Sequence, residues 1–179
     1  MSKLNLILYG RRNTGKTTAL VELVKLLVGN PAVSAAIDAA LKLPSGRYHD
    51  AKFIVEMNGH IILVGTAGDS WELCRGNIDL FEGTYSGGTD IYLVTAASFS
   101  LMDTQQKTTY KSRVDQACVC VTACSPVNLK KGAIKALHAY SETALMGYSR
   151  QIWVRTDDKI HSTATANELF DIIKDFIKK

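Results

Sequence analysis

Eight residues near the start of the chain have the types and spacing to hold phosphate. Gly10-Arg11-Arg12-Asn13-Thr14-Gly15-Lys16-Thr17 fits G-x-x-x-x-G-K-[ST] at every defined position. In such a loop the glycines let the backbone curl until several N–H groups face one set of phosphate oxygens. A helix starting there adds the positive end of its dipole. Lys16 can reach the β- and γ-phosphates as a point charge. The Thr17 hydroxyl is a hard oxygen ligand suited to Mg2+. Thr18 can donate to the α-phosphate side. The expected phosphate contacts are therefore Gly10, Arg11, Arg12, Asn13, Thr14, Gly15, Lys16, Thr17 and Thr18. Thr17 is the expected metal ligand and Lys16 the expected catalytic charge.

Such a loop needs a buried strand before it and a helix after it. Leu4 to Tyr9 is an apolar, strand-like run. Thr17 to Val28 reads as a helix stopped by Gly29. Asn30-Pro31 starts a second helix, with Asn30 as N-cap and Pro31 at the first helical position; it should end before Pro44. Lys52–Met57 and His60–Val64 flank Asn58-Gly59, a strong hairpin signal because a type I′ turn needs positive φ at both central residues.

Beyond the hairpin, Ser70 can cap a helix carrying Trp71, Cys74, Ile78 and Phe81 on one face, and Gly83 to Gly88 reads as loop. Further strands are expected at Asp90–Ala96, Ala117–Thr122 and Gln151–Arg155. Phe99 to Arg113 has no clear period. A long helix is expected from Asn128 to about Met146. Thr165 and Glu168 have capping-box spacing at the start of a last helix, whose apolar stripe is Leu169, Ile172, Ile173, Phe176 and Ile177. This alternation predicts an α/β fold. Its sheet is mostly parallel with one antiparallel hairpin strand and helices on both faces, in one domain spanning 1–179.

From these residues the chain resembles the P-loop NTPase superfamily, which implies a three-layer P-loop NTPase fold. The first motif is also similar to that of bacterial GTPases of ribosome assembly and tRNA modification. In small GTPases the second hairpin strand ends in D-T-A-G; here it ends in Gly65-Thr66-Ala67-Gly68, followed by Asp69. The resemblance implies that the Gly68 N–H meets a γ-phosphate and that Asp69 stands where an attacking water is oriented. Asp69 suits a helix cap equally well.

Two departures matter. Gly65 replaces the Walker B aspartate, and a glycine cannot hold the water shell of Mg2+. The guanine-reading N-K-x-D is missing, since Arg155-Thr156-Asp157-Asp158 keeps only its last aspartate. ATP or a deoxynucleotide is therefore expected over GTP. The overall pattern is similar to small bacterial and mobile-element P-loop proteins, a likeness specific only at the phosphate loop.

Other candidates read more plainly. His49 and Asp50 precede the hairpin; solvated loop residues are the first reading, with Mg2+ binding or a phosphoryl acceptor as the alternative for Asp50. Cys118, Cys120 and Cys124 lack paired C-x-x-C spacing and read as core thiols. The net charge of +4 comes without a dense basic stripe, which argues against a nucleic-acid partner. No apolar run is long enough to cross a bilayer, and Met1–Gly10 lacks a small-residue cleavage site, so a cytoplasmic protein without membrane contact is expected.

The leading expectation is a Mg2+-dependent protein that binds ATP or another nucleoside triphosphate and hydrolyses it or switches on it, alone or with a protein partner. The alternatives are a kinase passing the γ-phosphoryl group of ATP to a small molecule or nucleotide, and a nucleotide-binding module without turnover.

Overall fold

Residues 3–10, 15–68, 71–84, 91–98, 118–124, 150–155 and 159–178 are described by a computed structural model. In chain order they form β1 (Lys3–Gly10), α1 (Lys16–Val28), α2 (Pro31–Leu41), β2 (Lys52–Met57), β3 (His60–Gly65), α3 (Trp71–Thr84), β4 (Ile91–Ser98), β5 (Cys118–Cys124), β6 (Arg150–Arg155) and α4 (Lys159–Ile177).

The strands make a mixed sheet in the order β2-β3-β4-β1-β5-β6. All pairs are parallel except the β2–β3 hairpin. β1 has β4 on one side and β5 on the other, so the chain direction across the sheet reverses there. In open α/β sheets, ligands bind beyond the carboxyl ends of the strands at such a point. The carboxyl end of β1 is Gly10, in register with Ser98 of β4 and Ala123 of β5.

The hairpin turn follows the sequence expectation. Asn58 and Gly59 have φ values of 54° and 79°. The turn puts Lys52 opposite Gly65, so the start of antiparallel β2 lies at the same edge as the ends of the parallel strands. Residues 50 and 51 are thereby carried to the phosphate-loop end of the sheet.

Side-chain alternation separates the two faces. Ile62 and Val64 join Leu6, Leu8, Val55, Val94 and Ala96 in a core with Leu20, Leu23 and Leu27 of α1 and Ala166, Leu169 and Ile173 of α4. Residues of the other parity on β3, including Gly65, face α3, whose Asn77 packs on Gly65. Among the described residues, helices thus cover both faces. α2 lies on the surface with none of its side chains buried.

Helix boundaries agree with local chemistry in most places. Asn30 Oδ1 accepts from the N–H groups of Ala32 and Val33 at 2.9 and 3.3 Å, the expected N-cap. Gly29, at φ 61°, ends α1. Two expectations need correction. α3 runs on to Thr84, taking in Gly83, which reads as loop in the sequence. α4 starts at Lys159, so Thr165 and Glu168 lie inside it and do not cap it. Thr165 is buried and Glu168 exposed, both within the helix. The expected helix from Asn128 to Met146 and the segment Phe99–Arg113 lie outside the described residues.

Candidate functional site

Gly15 has φ 84° and ψ 12°, a left-handed conformation that glycine adopts without penalty. It turns the chain directly into α1, whose first residue is Lys16. The Gly15 carbonyl accepts from Ala19 N–H at 2.9 Å, so the helix ladder begins at once. Gly15 offers no capping side chain, and the first turn of α1 carries no acidic residue. Its first N–H groups and dipole are thus set for an anion. Lys16 is only 5% exposed. From α4, the Ser162 hydroxyl lies 3.5 Å from the Gly15 carbonyl oxygen and donates to it.

Thr17 makes the contact that organises the site. Its hydroxyl donates to Asp50 Oδ1 at 3.0 Å and lies 3.5 Å from the Thr66 carbonyl oxygen. The Thr66 hydroxyl also approaches Asp50 Oδ1, at 3.4 Å. Three segments distant in sequence therefore meet at one carboxylate oxygen. Asp50, read first as a solvated loop residue, is exposed outside any helix or strand, and its carboxylate also accepts from the first turn of α1.

Asp50 is held from both sides. On one side, Ala51 N–H donates to the Thr66 hydroxyl at 2.8 Å, and Thr66 N–H donates to the Ala51 carbonyl at 3.0 Å. On the other, Tyr48 is buried, 7% exposed, under a polar cluster on α1 and α2. The Tyr48 phenol donates to Asp38 Oδ1 at 2.7 Å and accepts from the Lys25 ammonium at 2.8 Å. Lys25 also donates to Glu22 Oε1 at 3.0 Å and pairs with Asp38. Burial works against the Lys25 charge, but its hydrogen bonds to Asp38, Tyr48 and Glu22 outweigh this and raise its pKa above the ordinary lysine value. The hydrogen bond from Lys25 lowers the Asp38 carboxyl below its usual range. Burial pushes the Tyr48 phenol up to about 12, with the acidic neighbours adding to the rise and Lys25 opposing it.

Position 65 has its own geometry. A Cβ built on Gly65 would come within 3.0 Å of the carbon, oxygen and nitrogen of the Asn77 carboxamide. Asn77 is 1% exposed. Its Nδ2 donates to the Ala67 carbonyl at 3.0 Å, which fixes the amide's orientation. Oδ1 is then left buried without a hydrogen-bond partner. Such an orphaned acceptor costs about 1–3 kcal/mol unless a donor arrives. No motif marks Asn77, an ordinary mid-helix residue whose importance depends on the packing of α3 against β3.

The expected site residues thus divide. Gly10, Gly15, Lys16, Thr17 and Thr18 gather where β1 ends and α1 begins, and Gly68 is buried just beyond β3. Arg11, Arg12, Asn13, Thr14 and Asp69 lie outside the described residues. Among the described residues, no three His, Cys, Asp or Glu side chains group as a metal site. A hydroxyl and one carboxylate are oxygen donors of the kind Mg2+ takes when phosphates and water complete its shell, so the residues present fit that ion. No helix among them is long and apolar enough to cross a membrane.

Comparisons with known proteins give little beyond this. No family model matches the chain, and no curated protein does. Among solved structures, a gluconokinase from Sinorhizobium meliloti 1021 is similar over 95% of each chain, with 9% identity and a TM-score of 0.35. That likeness is too loose to carry a fold or a function across.

Proposed function

We propose that this chain is a P-loop nucleotide-binding protein that takes a nucleoside triphosphate with Mg2+ and transfers its γ-phosphoryl group. What carries this reading is the left-handed Gly15 turn opening α1 at Lys16, beside the carboxyl ends of parallel strands. The loop 10–15 wraps the phosphates through its backbone N–H groups, and Arg11 and Arg12 offset their charge. Asn13 and Thr14 are proposed as further phosphate contacts. Lys16 stabilises charge on the β- and γ-phosphates, and Thr18 serves the α-phosphate. Gly68 N–H meets the γ-phosphate and Asp69 orients the attacking water. Thr17 would hold Mg2+, which would supply positive charge to offset that of the phosphate oxygens. ATP is the proposed nucleotide, because no N-K-x-D stands in the sequence to select guanine.

The same contacts serve transfer to water or to a small acceptor. Hydrolysis needs only water and is proposed as the default reaction, in a cytoplasmic setting. Calorimetry with ATP, GTP and dATP in Mg2+, on the wild type and Lys16→Ala, tests the reading. Binding that is lost in Lys16→Ala is expected. Equal affinity and turnover in the two proteins would sink it. Binding without turnover, with or without acceptors, would leave a nucleotide-reporting module.

A further inference from the structure

We propose that Asp50 supplies the carboxylate of the Mg2+ site, in place of the acid that position 65 lacks. The inference rests on the nucleotide reading above and deepens it. Three observations converge on it.

The first is contact. Asp50 Oδ1 accepts from the Thr17 hydroxyl at 3.0 Å, so a carboxylate already sits on the side chain expected to ligate the ion. Thr17 and Asp50 are 33 residues apart, and the contact exists because the antiparallel hairpin returns the start of β2 to the carboxyl edge of the sheet.

The second is exclusion. Gly65 cannot be exchanged for an acidic residue within this packing, because the Asn77 carboxamide fills the space its Cβ would need. Asn77 is neutral and cannot replace the missing charge. Its buried Oδ1, without a partner, is nevertheless an acceptor in the volume that a side chain at 65 would take. Such an oxygen suits the water shell of a hydrated cation, and Mg2+ keeps several of its waters.

The third is fixation. A carboxylate that serves a metal must be placed before the ion arrives, and second-shell contacts do this. Ala51 is tied to Thr66 by three hydrogen-bond contacts, and Tyr48 is locked onto Lys25 and Asp38. Asp50 lies between these anchors, so the loop presents its charge to α1.

The test uses the full chain and a non-hydrolysable ATP analogue, whose affinity is measured calorimetrically in Mg2+ and in EDTA. Mn2+ binding in the same complex is followed by electron paramagnetic resonance. Asp50→Asn should lose the Mg2+-dependent part of the affinity and bind Mn2+ about 10–100-fold more weakly. Its affinity in EDTA should be unchanged or higher, since a negative charge near the phosphates is gone. Asp50→Glu should recover part of the Mn2+ affinity. An Asp50→Asn protein with wild-type Mg2+ dependence would overturn the proposal. So would loss of that dependence in Asp69→Asn alone. A wild type that binds no nucleotide in either condition would overturn the nucleotide reading itself, and this inference with it.

Discussion

The Asn77 carboxamide occupies the volume that any side chain at Gly65 would need, and it does so from a helix on the opposite side of the intervening loop. The two positions should therefore be energetically coupled. Gly65→Ala should destabilise by about 1–3 kcal/mol through overpacking. Asn77→Ala should also destabilise, since it strips the Ala67 carbonyl of its donor. The double variant should be more stable than the sum predicts, with a coupling of about 0.5–3 kcal/mol. Urea unfolding of the four proteins measures this; strict additivity would mean that the close approach carries no energy.

Thr17→Val removes the hydroxyl that Asp50 accepts from and should abolish the Mg2+ enhancement of nucleotide affinity. Thr17→Ser keeps the oxygen and should retain most of it. Calorimetry in Mg2+ and EDTA separates the two. A valine variant that still responds to Mg2+ would remove Thr17 from the metal site.

Alkaline pH should release the loop that carries Asp50. The Tyr48 phenol is raised to about 12 in the folded chain, from 10.0. A raised value contributes stability that is complete below pH 10 and is lost as pH climbs toward 12. Lys25 is raised as well, so its contribution also falls away on the alkaline side. Tyr48→Phe should cost about 0.5–1.5 kcal/mol at neutral pH and flatten the decline of stability between pH 10 and 12. Unfolding curves of both proteins across that range check this; parallel declines would refute it.

Acid acts on the same cluster with the opposite sign. The Asp38 carboxyl is lowered from its usual 3.8 by Lys25, so its contribution is present above that value and is lost as pH falls through the lower folded one. Asp38→Asn should be less stable than wild type at pH 7, and the two should converge in acid. Thermal unfolding as a function of pH reads the difference, and a gap that persists at the acid end would contradict it.

Much of this was visible in the residues themselves. Gly29, Asn30-Pro31 and Asn58-Gly59 act on their own backbone, so local chemistry was enough to place the ends of α1 and α2 and the hairpin turn. The phosphate-loop pattern is likewise contiguous. Asp50 was legible only as the second of two readings and Asn77 not at all, because their contacts depend on how distant elements pack together. Lys52 facing Gly65 follows from the two-residue turn, but which elements pack over that end of the hairpin has no local signal. Thr165-x-x-Glu168 misled for the converse reason. The spacing is real, but Thr165 is buried and Glu168 exposed within a helix that had already begun at Lys159.

β1 lies between β4 and β5, and α1 packs on α4, so β1 is supported by elements made after it. During synthesis, residues 10–18 leave the ribosome long before 91–98, 118–124 and 159–177 exist to hold them. Contacts of such sequence separation form late and slowly. A nascent chain therefore carries the complete G-x-x-x-x-G-K-[ST] pattern before the strands and helix that would hold it in place are made. On the proposed function, nucleotide would act as a ligand of the finished fold, after translation of α4, with no part in guiding the growing chain.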